Sequence, residues 1–169
     1  YQNLAKVLLF SGYVTNILTQ DKKILDILQP EYAMRLNGNI SFYKNTFSKI
    51  DIHKLNEEEI LNTLRRNHRF LKFQILFAII NKEIDIQRAS NEFSLLAQAT
   101  FNIALDIAQT QISNKYNINC EEYSAIAYGR FATFSMTANS DLDLVFVYED
   151  FPNNTNIKKN VYIELFRQL

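Results

Sequence analysis

Residues 139–148 read Asn139-Ser140-Asp141-Leu142-Asp143-Leu144-Val145-Phe146-Val147-Tyr148, two aspartates that open an apolar run of β-forming residues. The run predicts a strand from Leu142 to Tyr148, and because it is unbroken, it predicts burial on both faces of a sheet. Side chains at i and i+2 of a strand leave the same face, so Asp141 and Asp143 are expected to point together. Paired carboxylates at the edge of a buried sheet predict a Mg²⁺ site.

The acidic pair also has a structural interpretation. Asp141 would cap the preceding turn, and Asp143 would be a solvated residue at the sheet edge. Ser140 has a similar choice between a hydrogen bond to a phosphate and the capping of a turn. Desolvating two like charges at the mouth of a buried strand costs roughly several kcal/mol unless a cation compensates. The context therefore favours the metal site.

A first strand is predicted from Tyr123 to Tyr128, and it ends at Gly129. Glycine adopts positive φ and allows close approach of the backbone, as phosphate-binding loops require. In isolation, Gly129 is more simply an ordinary turn residue. A polar and aromatic connection from Arg130 to Ser140 then leads to the acidic pair.

The N-terminal part of the chain predicts helices. Apolar residues recur at spacings of three and four between residues 4 and 28, which predicts two short helices that meet near residues 19–21. Residues 41–47 form either a short helix or an extended link. Asn56 and Glu59 have the spacing of a capping box at the start of a long helix.

Three further boundaries follow from the same signals. The helix that begins after Asn56 is predicted to run to about Ile80, and Asp85 is the predicted N-cap of the longest helix, over about residues 86–116. After the two strands, a last helix is expected from Ile157 onward.

These elements predict an α+β fold in two parts. A helical region over residues 1–120 precedes the opening of an α/β unit over residues 121–169. The chain begins with Tyr1 rather than Met, and Leu169 falls inside a predicted helix. We therefore expect a piece of a longer protein in which the second unit is incomplete at its C-terminal end.

Composition narrows the class of protein. The 169 residues are 47% hydrophobic, which suffices for a proper core. Eighteen basic and eighteen acidic residues cancel, so neither nucleic acid nor a membrane surface is an expected partner. The single cysteine, Cys120, and the lack of a visible secretory signal are typical of a cytoplasmic protein. His53 and His68 have no ligand-like spacing, so a surface or packing role is expected.

The order strand, Gly129, connection, Ser140-Asp141-Leu142-Asp143, strand resembles the signature of the DNA polymerase β-like nucleotidyltransferases. The flanks are similar to one family among them, the glutamine synthetase adenylyltransferases and adenylyl-removing enzymes. That family's motif usually reads Gly-Lys-Leu-Gly-(Gly/Ser)-Arg-Glu, a few residues, then Ser-Asp-(Leu/Ile)-Asp-Leu. Upstream, residues 67–71 and 93–97 resemble helical segments that precede the motif in this family.

The resemblance implies a function and a set of site residues. Asp141 and Asp143 would be the catalytic, metal-binding carboxylates, and Gly129, Arg130 and Ser140 would bind the nucleotide. The implied substrate is ATP, and the implied cofactor is a pair of Mg²⁺ ions. The implied protein partner is glutamine synthetase, with a PII-type signal protein as regulator. The parent would transfer AMP to a tyrosine of glutamine synthetase, or remove it by phosphorolysis.

Two further features bear on that resemblance. Residues 136–138 and 162–169 look more like the family's C-terminal half, which adenylylates glutamine synthetase, than its N-terminal half, which removes AMP. A third carboxylate, which this superfamily takes from a later strand, would lie beyond Leu169.

The chain also departs from the family pattern. Ala132 and Thr133 stand where the family has Gly and Gly/Ser, and Phe134 and Ser135 stand where it has Arg-Glu. These departures leave the enzymatic activity open. One alternative is a non-catalytic, truncated or degenerate remnant that keeps a protein-binding helical surface. Another is a different polymerase β-like nucleotidyltransferase, such as one that uridylylates a signalling protein.

Overall fold

A computed structural model of the chain describes residues 2–10, 12–20, 22–28, 36, 38–48, 55–118, 120, 122–148 and 155–167. The elements in chain order are α1 (Gln2–Phe10), α2 (Gly12–Gln20), a 3₁₀ helix (Lys22–Leu28), α3 (Ile40–Phe47), α4 (Glu57–Ile80), α5 (Ile86–Tyr116), β1 (Tyr123–Ala127), α6 (Gly129–Ala132), β2 (Leu144–Tyr148) and α7 (Thr155–Arg167). Described residues are mostly helical with one antiparallel pair of strands, so the predicted α+β class is confirmed. The polymerase β-like detail of the fold and the division at residue 120 remain predictions.

The caps of the two long helices are confirmed. The side-chain oxygen of Asn56 accepts a hydrogen bond from the backbone N–H of Glu59, and the Glu59 carboxylate accepts one from the backbone N–H of Asn56. The capping box is therefore complete. Asp85 accepts a 2.7 Å hydrogen bond from the backbone N–H of Arg88. Helix α5 has 31 residues, the most of any described helix, and ends where Asn117 turns left-handed at φ 53°.

The N-terminal helices agree with the predicted break. The expected break near residues 19–21 coincides with the end of α2 at Gln20. Residue 11, between α1 and α2, lies outside the described residues. Residues 41–47 are helical rather than extended, because Asn39 caps α3 by accepting from the Ser41 amide.

Helix α5 contributes to two hydrophobic clusters. In the larger cluster its first half packs with α3 and α4 around fully buried side chains that include Tyr43, Phe73 and Leu96. In the smaller cluster Ile112, near its C-terminal end, packs with α7 around Leu165. The sheet lies beside this second cluster, so α5 connects the helical core to the strands.

The strands are shorter than predicted, and the described residues cover one face of the sheet. Strand β1 ends at Ala127 and β2 begins at Leu144, in a register that pairs these two residues. The ring of Phe146 stacks on Phe166 of α7 at 4.3 Å, but Val147 on the opposite face is 50% exposed. The prediction of burial on both faces is therefore wrong: α5 and α7 pack against the face of Phe146, whereas Val145 and Val147 on the other face are exposed.

His68 joins α4 to α5. Its Nδ1 lies 2.9 Å from the Thr100 hydroxyl, which donates to the carbonyl oxygen of Leu96. Since the hydroxyl proton is engaged there, the Nδ1–H of His68 donates to Thr100. Burial, and then the nearby Lys72 ammonium, lower the pKa of His68 to about 4. This contact agrees with the predicted packing role, whereas His53 lies outside the described residues.

Glu92 of α5 is fully buried and accepts two hydrogen bonds. The Tyr43 hydroxyl donates to it at 2.6 Å, and the Gly38 amide donates at 2.9 Å. Burial, followed by the hydrogen bond to Glu92, holds the pKa of Tyr43 well above its usual range. Both donors come from α3 or the segment before it, so this carboxylate fixes α3 onto α5.

None of the helices in the described part of the chain is both long and apolar enough to cross a membrane.

We expect Glu92→Gln to lower the free energy of unfolding by about 1–3 kcal/mol, because an amide replaces two charge-assisted hydrogen bonds by weaker ones and leaves a donor without an acceptor. Urea unfolding followed by circular dichroism measures the change. Glu83→Gln is the control, since Glu83 is exposed. Equal stability of the two variants would contradict the role of Glu92.

The low pKa of His68 also predicts a pH dependence of stability. The histidine pKa is near 6.5 in the unfolded chain and about 4 in the folded chain. Between these two pH values the unfolded chain therefore binds a proton at His68 that the folded chain does not. The contribution of His68 is therefore fully present above pH 6.5 and is lost as pH falls toward 4, by about 3 kcal/mol. Denaturant unfolding from pH 7 to pH 4 should show a shallower fall for His68→Gln. Parallel curves would contradict this prediction.

Candidate functional site

The segment before β2, residues 133–143, is attached to α5 by hydrogen bonds with two serines. The Ser90 hydroxyl donates to the carbonyl oxygen of Met136 at 2.8 Å, and the Ser94 hydroxyl oxygen accepts from the Met136 amide at 3.3 Å. The Met136 side chain is buried in the larger cluster. This attachment places the residues that follow, up to the acidic pair, against the helical core.

A second attachment comes from α2. The Tyr13 hydroxyl lies 3.4 Å from the carbonyl oxygen of Ala138 and donates to it. The Lys72 ammonium of α4 lies 5.3 Å from the centroid of the Tyr13 ring, within the range of a cation–π contact. Helix α2 therefore reaches the segment that carries the acidic motif, and Lys72 of α4 contacts the same tyrosine.

Gly129 and Asp143 are in close contact. Gly129 has φ +56°, and a Cβ built on it would lie 2.6 Å from Oδ2 of Asp143. The amide of Tyr128 donates to the carbonyl oxygen of Asp143 at 2.8 Å, which continues the pairing of the two strands. The positive φ would strain any side chain at Gly129, and an added Cβ would force the Asp143 carboxylate to shift, so this glycine is more than an ordinary turn residue.

Ser140 caps a turn. Its hydroxyl oxygen accepts from the Thr137 amide at 2.9 Å and lies 3.0 Å from the Thr137 hydroxyl. The structural interpretation of this residue is thus realised, and a phosphate contact by Ser140 remains a prediction.

The acidic pair is exposed and precedes the strand. Asp141 and Asp143 both lie before Leu144, where β2 begins, so the rule that i and i+2 share a face does not apply to them. Because both carboxylates are exposed, no cation is needed to offset their desolvation, and the expectation of a desolvated acidic pair is wrong. Among the described residues, no group of three or more acidic, histidine or cysteine side chains is arranged to hold a metal ion.

The residues that depart from the family motif form a local turn with its own hydrogen bonds. Ala132 is the last residue of α6, and the Thr133 hydroxyl donates to the carbonyl oxygen of Gly129 at 3.2 Å and lies 2.7 Å from the Ser135 hydroxyl. Phe134 has φ +51°, which costs a residue with a side chain about 1–2 kcal/mol. Backbone strain therefore falls at the position where the family has Arg. Arg130 is exposed on α6.

A cavity of about 250 Å³ lies beside Asp141. The segment before β2 lines it with Thr137, Ser140 and Asp141, and the opposite lining includes His68 and Lys72 of α4. Sequence reasoning did not place these two α4 residues near the acidic motif. The available signal was their position among basic residues on one face of an otherwise apolar helix.

Comparisons with known proteins agree with the resemblance in the motif. The family model described as glutamate-ammonia ligase adenylyltransferase matches residues 1–167. Similar curated proteins are bifunctional glutamine synthetase adenylyltransferase/adenylyl-removing enzymes. The protein of Neisseria meningitidis serogroup A is 30% identical over 56% of this chain, that of Ralstonia nicotianae 25% over 87%, and that of Psychromonas ingrahamii 24% over 98%.

These matches cover 11%, 15% and 18% of the three relatives' own lengths, so the chain corresponds to a small part of each. The family match, in contrast, extends over almost the whole chain. The chain belongs to the glutamate-ammonia ligase adenylyltransferase family.

Proposed function

We propose that this chain supplies the nucleotide and Mg²⁺ site of an adenylyltransferase that acts on glutamine synthetase. The observation that carries the proposal is the contact of Asp143 with Gly129 beside Ser140-Asp141, in a chain that matches the family over residues 1–167. The names of the relatives supply the reaction and the protein substrate.

The residues present fit Mg²⁺. Carboxylate oxygens are hard ligands, and Mg²⁺ commonly uses one or two carboxylates together with substrate phosphates and water. Asp141 and Asp143 are exposed and so are open to such a complex. A third carboxylate would come from another segment of the protein. When bound, Mg²⁺ would neutralise charge on the triphosphate and lower the pKa of the attacking hydroxyl.

The chain's own residues would mainly position ATP. The Asp143 carboxylate lies beside the backbone of Gly129, and Asp141 lies at the edge of a cavity that Lys72 also lines. Arg130 and Ser140 would contact the phosphates, while a tyrosine hydroxyl of glutamine synthetase attacks the α-phosphorus and pyrophosphate leaves. Such reactions depend mostly on positioning and charge neutralisation. Phosphorolysis of the AMP–tyrosine bond would use the same residues, and a PII-type protein would regulate the direction.

A second candidate is a non-catalytic member of the family. The positive φ of Phe134 and the loss of the family's Arg-Glu pair favour it, since both alter the turn expected to face the triphosphate. The two candidates differ in one measurable property, which is Mg²⁺-dependent binding of ATP.

We expect ATP to bind only when Mg²⁺ is present, and Asp141→Asn with Asp143→Asn to abolish this binding because neutral amides hold Mg²⁺ poorly. Calorimetry on this chain, and on a polypeptide as long as the relatives, makes the measurement. Equal binding by the wild type and the double variant would refute the metal site. An absence of binding in every protein tested would favour the non-catalytic candidate.

Gly129→Ala is expected to weaken Mg²⁺-dependent ATP binding at least about tenfold and to destabilise the fold by about 1–2 kcal/mol, because its Cβ displaces Asp143 and the positive φ becomes strained. Gly12→Ala is the matched control, since nothing lies within 4 Å of its added Cβ. Calorimetry and urea unfolding measure the two effects. Unchanged binding by Gly129→Ala would show that the position of Asp143 is unimportant.

A further inference from the structure

A second and larger cavity, of about 450 Å³, lies between α2, α4 and α5. Its volume falls in the range of small-molecule sites, about 300–1,000 Å³. Its polar lining comes mainly from one face of α4, because residues at i, i+3, i+4 and i+7 of a helix share a face. These residues are Arg65, His68, Arg69 and Lys72.

The charge of this lining is one-sided. None of the lining residues in the described part of the chain is acidic, and there Arg65, Arg69 and Lys72 form no ion pair with a carboxylate. Like charges at i and i+4 destabilise a helix, so the Arg65–Arg69 pair opposes folding. Arg69 and Lys72 are also half-buried, so both cations lie close to the space inside the cavity. An anion held between these cations would offset their mutual repulsion.

The remaining lining suits an organic ligand. Ile17 and Leu64 are buried apolar residues that line part of the cavity. His68 is neutral and donates through Nδ1 to Thr100, so its Nε2 carries a lone pair that accepts a hydrogen bond. The cavity thus combines cations, a neutral acceptor and apolar surface.

This basic cavity adjoins the cavity beside Asp141. His68, Lys72 and Thr100 line both of them. Lys72 also contacts the Tyr13 ring, and the Tyr13 hydroxyl donates to Ala138 in the segment that leads to Asp141. The Tyr13 side chain would therefore connect a ligand bound to Lys72 with the segment that carries the acidic motif.

We propose that the cavity lined by Arg65, Arg69 and Lys72 binds a small molecule that carries a phosphate or carboxylate group. It is a site separate from the proposed metal site at Asp141 and Asp143. It requires no Mg²⁺, since its charge complement comes from side chains of α4. The proposal stands independently of the adenylyltransferase function.

The experiment is calorimetric titration of the chain with inorganic pyrophosphate and, separately, with succinate, without Mg²⁺ and at constant ionic strength. Arg69→Gln and Lys72→Gln remove lining charges. Arg66→Gln is the matched control, because Arg66 is exposed, adjacent in sequence and absent from the lining. The double variant Asp141→Asn, Asp143→Asn tests whether the two sites are separate, and the ring resonances of His68 report where the anion binds.

We expect saturable binding of at least one probe, a shift of the His68 resonances, and at least about tenfold weaker binding for Arg69→Gln and Lys72→Gln. Arg66→Gln and the double aspartate variant should bind as the wild type does. Pyrophosphate binding alone would assign the site to phosphates, and succinate binding alone to carboxylates. No binding of either probe at about 10 mM, equal weakening by Arg66→Gln, or dependence on Asp141 and Asp143 would overturn the proposal.

Thermal unfolding separates this role from a structural one. Without a ligand, Arg69→Gln should be as stable as the wild type or more stable, because repulsion between like charges is removed. Lower stability of Arg69→Gln, with binding reduced only in proportion to the unfolded fraction, would show that these residues serve the fold rather than a ligand.

Discussion

Two serine hydroxyls on α5, those of Ser90 and Ser94, hold the backbone of Met136, and the place of the acidic motif depends on them. The connection from α6 to β2 has little regular structure, so its entropy would favour many conformations. The hydrogen bonds and the burial of the Met136 side chain select one of them. The segment that carries Asp141 and Asp143 is thereby attached to α5 rather than forming an unattached loop.

The described carboxylates occupy two environments, the buried core and the solvent-exposed segment before β2. Glu92 is fully buried and is compensated by donors from Tyr43 and Gly38, so it serves the packing of α3 on α5. Asp141 and Asp143 are exposed to solvent, as the proposed metal site requires. Among the described residues, Glu92 is thus a structural carboxylate, whereas Asp141 and Asp143 are candidates for the metal site.

Sequence patterns predicted the local features well, because their causes are local. The capping box of Asn56 with Glu59 and the N-cap at Asp85 involve residues three positions apart, whose geometry the helix itself dictates. The apolar run of β2 correctly predicted a strand, but it wrongly predicted that both faces of this strand are buried. Whether Val145 and Val147 are covered depends on how many layers pack against the sheet, which no local pattern contains.

The sequence by itself determined the long helices, the two strands and the family that this order of elements resembles. Only the tertiary structure decided that Asp143 lies on Gly129 and that His68 and Lys72 face Ser140 and Asp141. Those residues are far apart in the chain, and they meet because α4 packs along α5, to which the Met136 segment is bound. Contacts between different elements depend on how whole helices and strands pack together, and the spacing of residues within one element does not predict them.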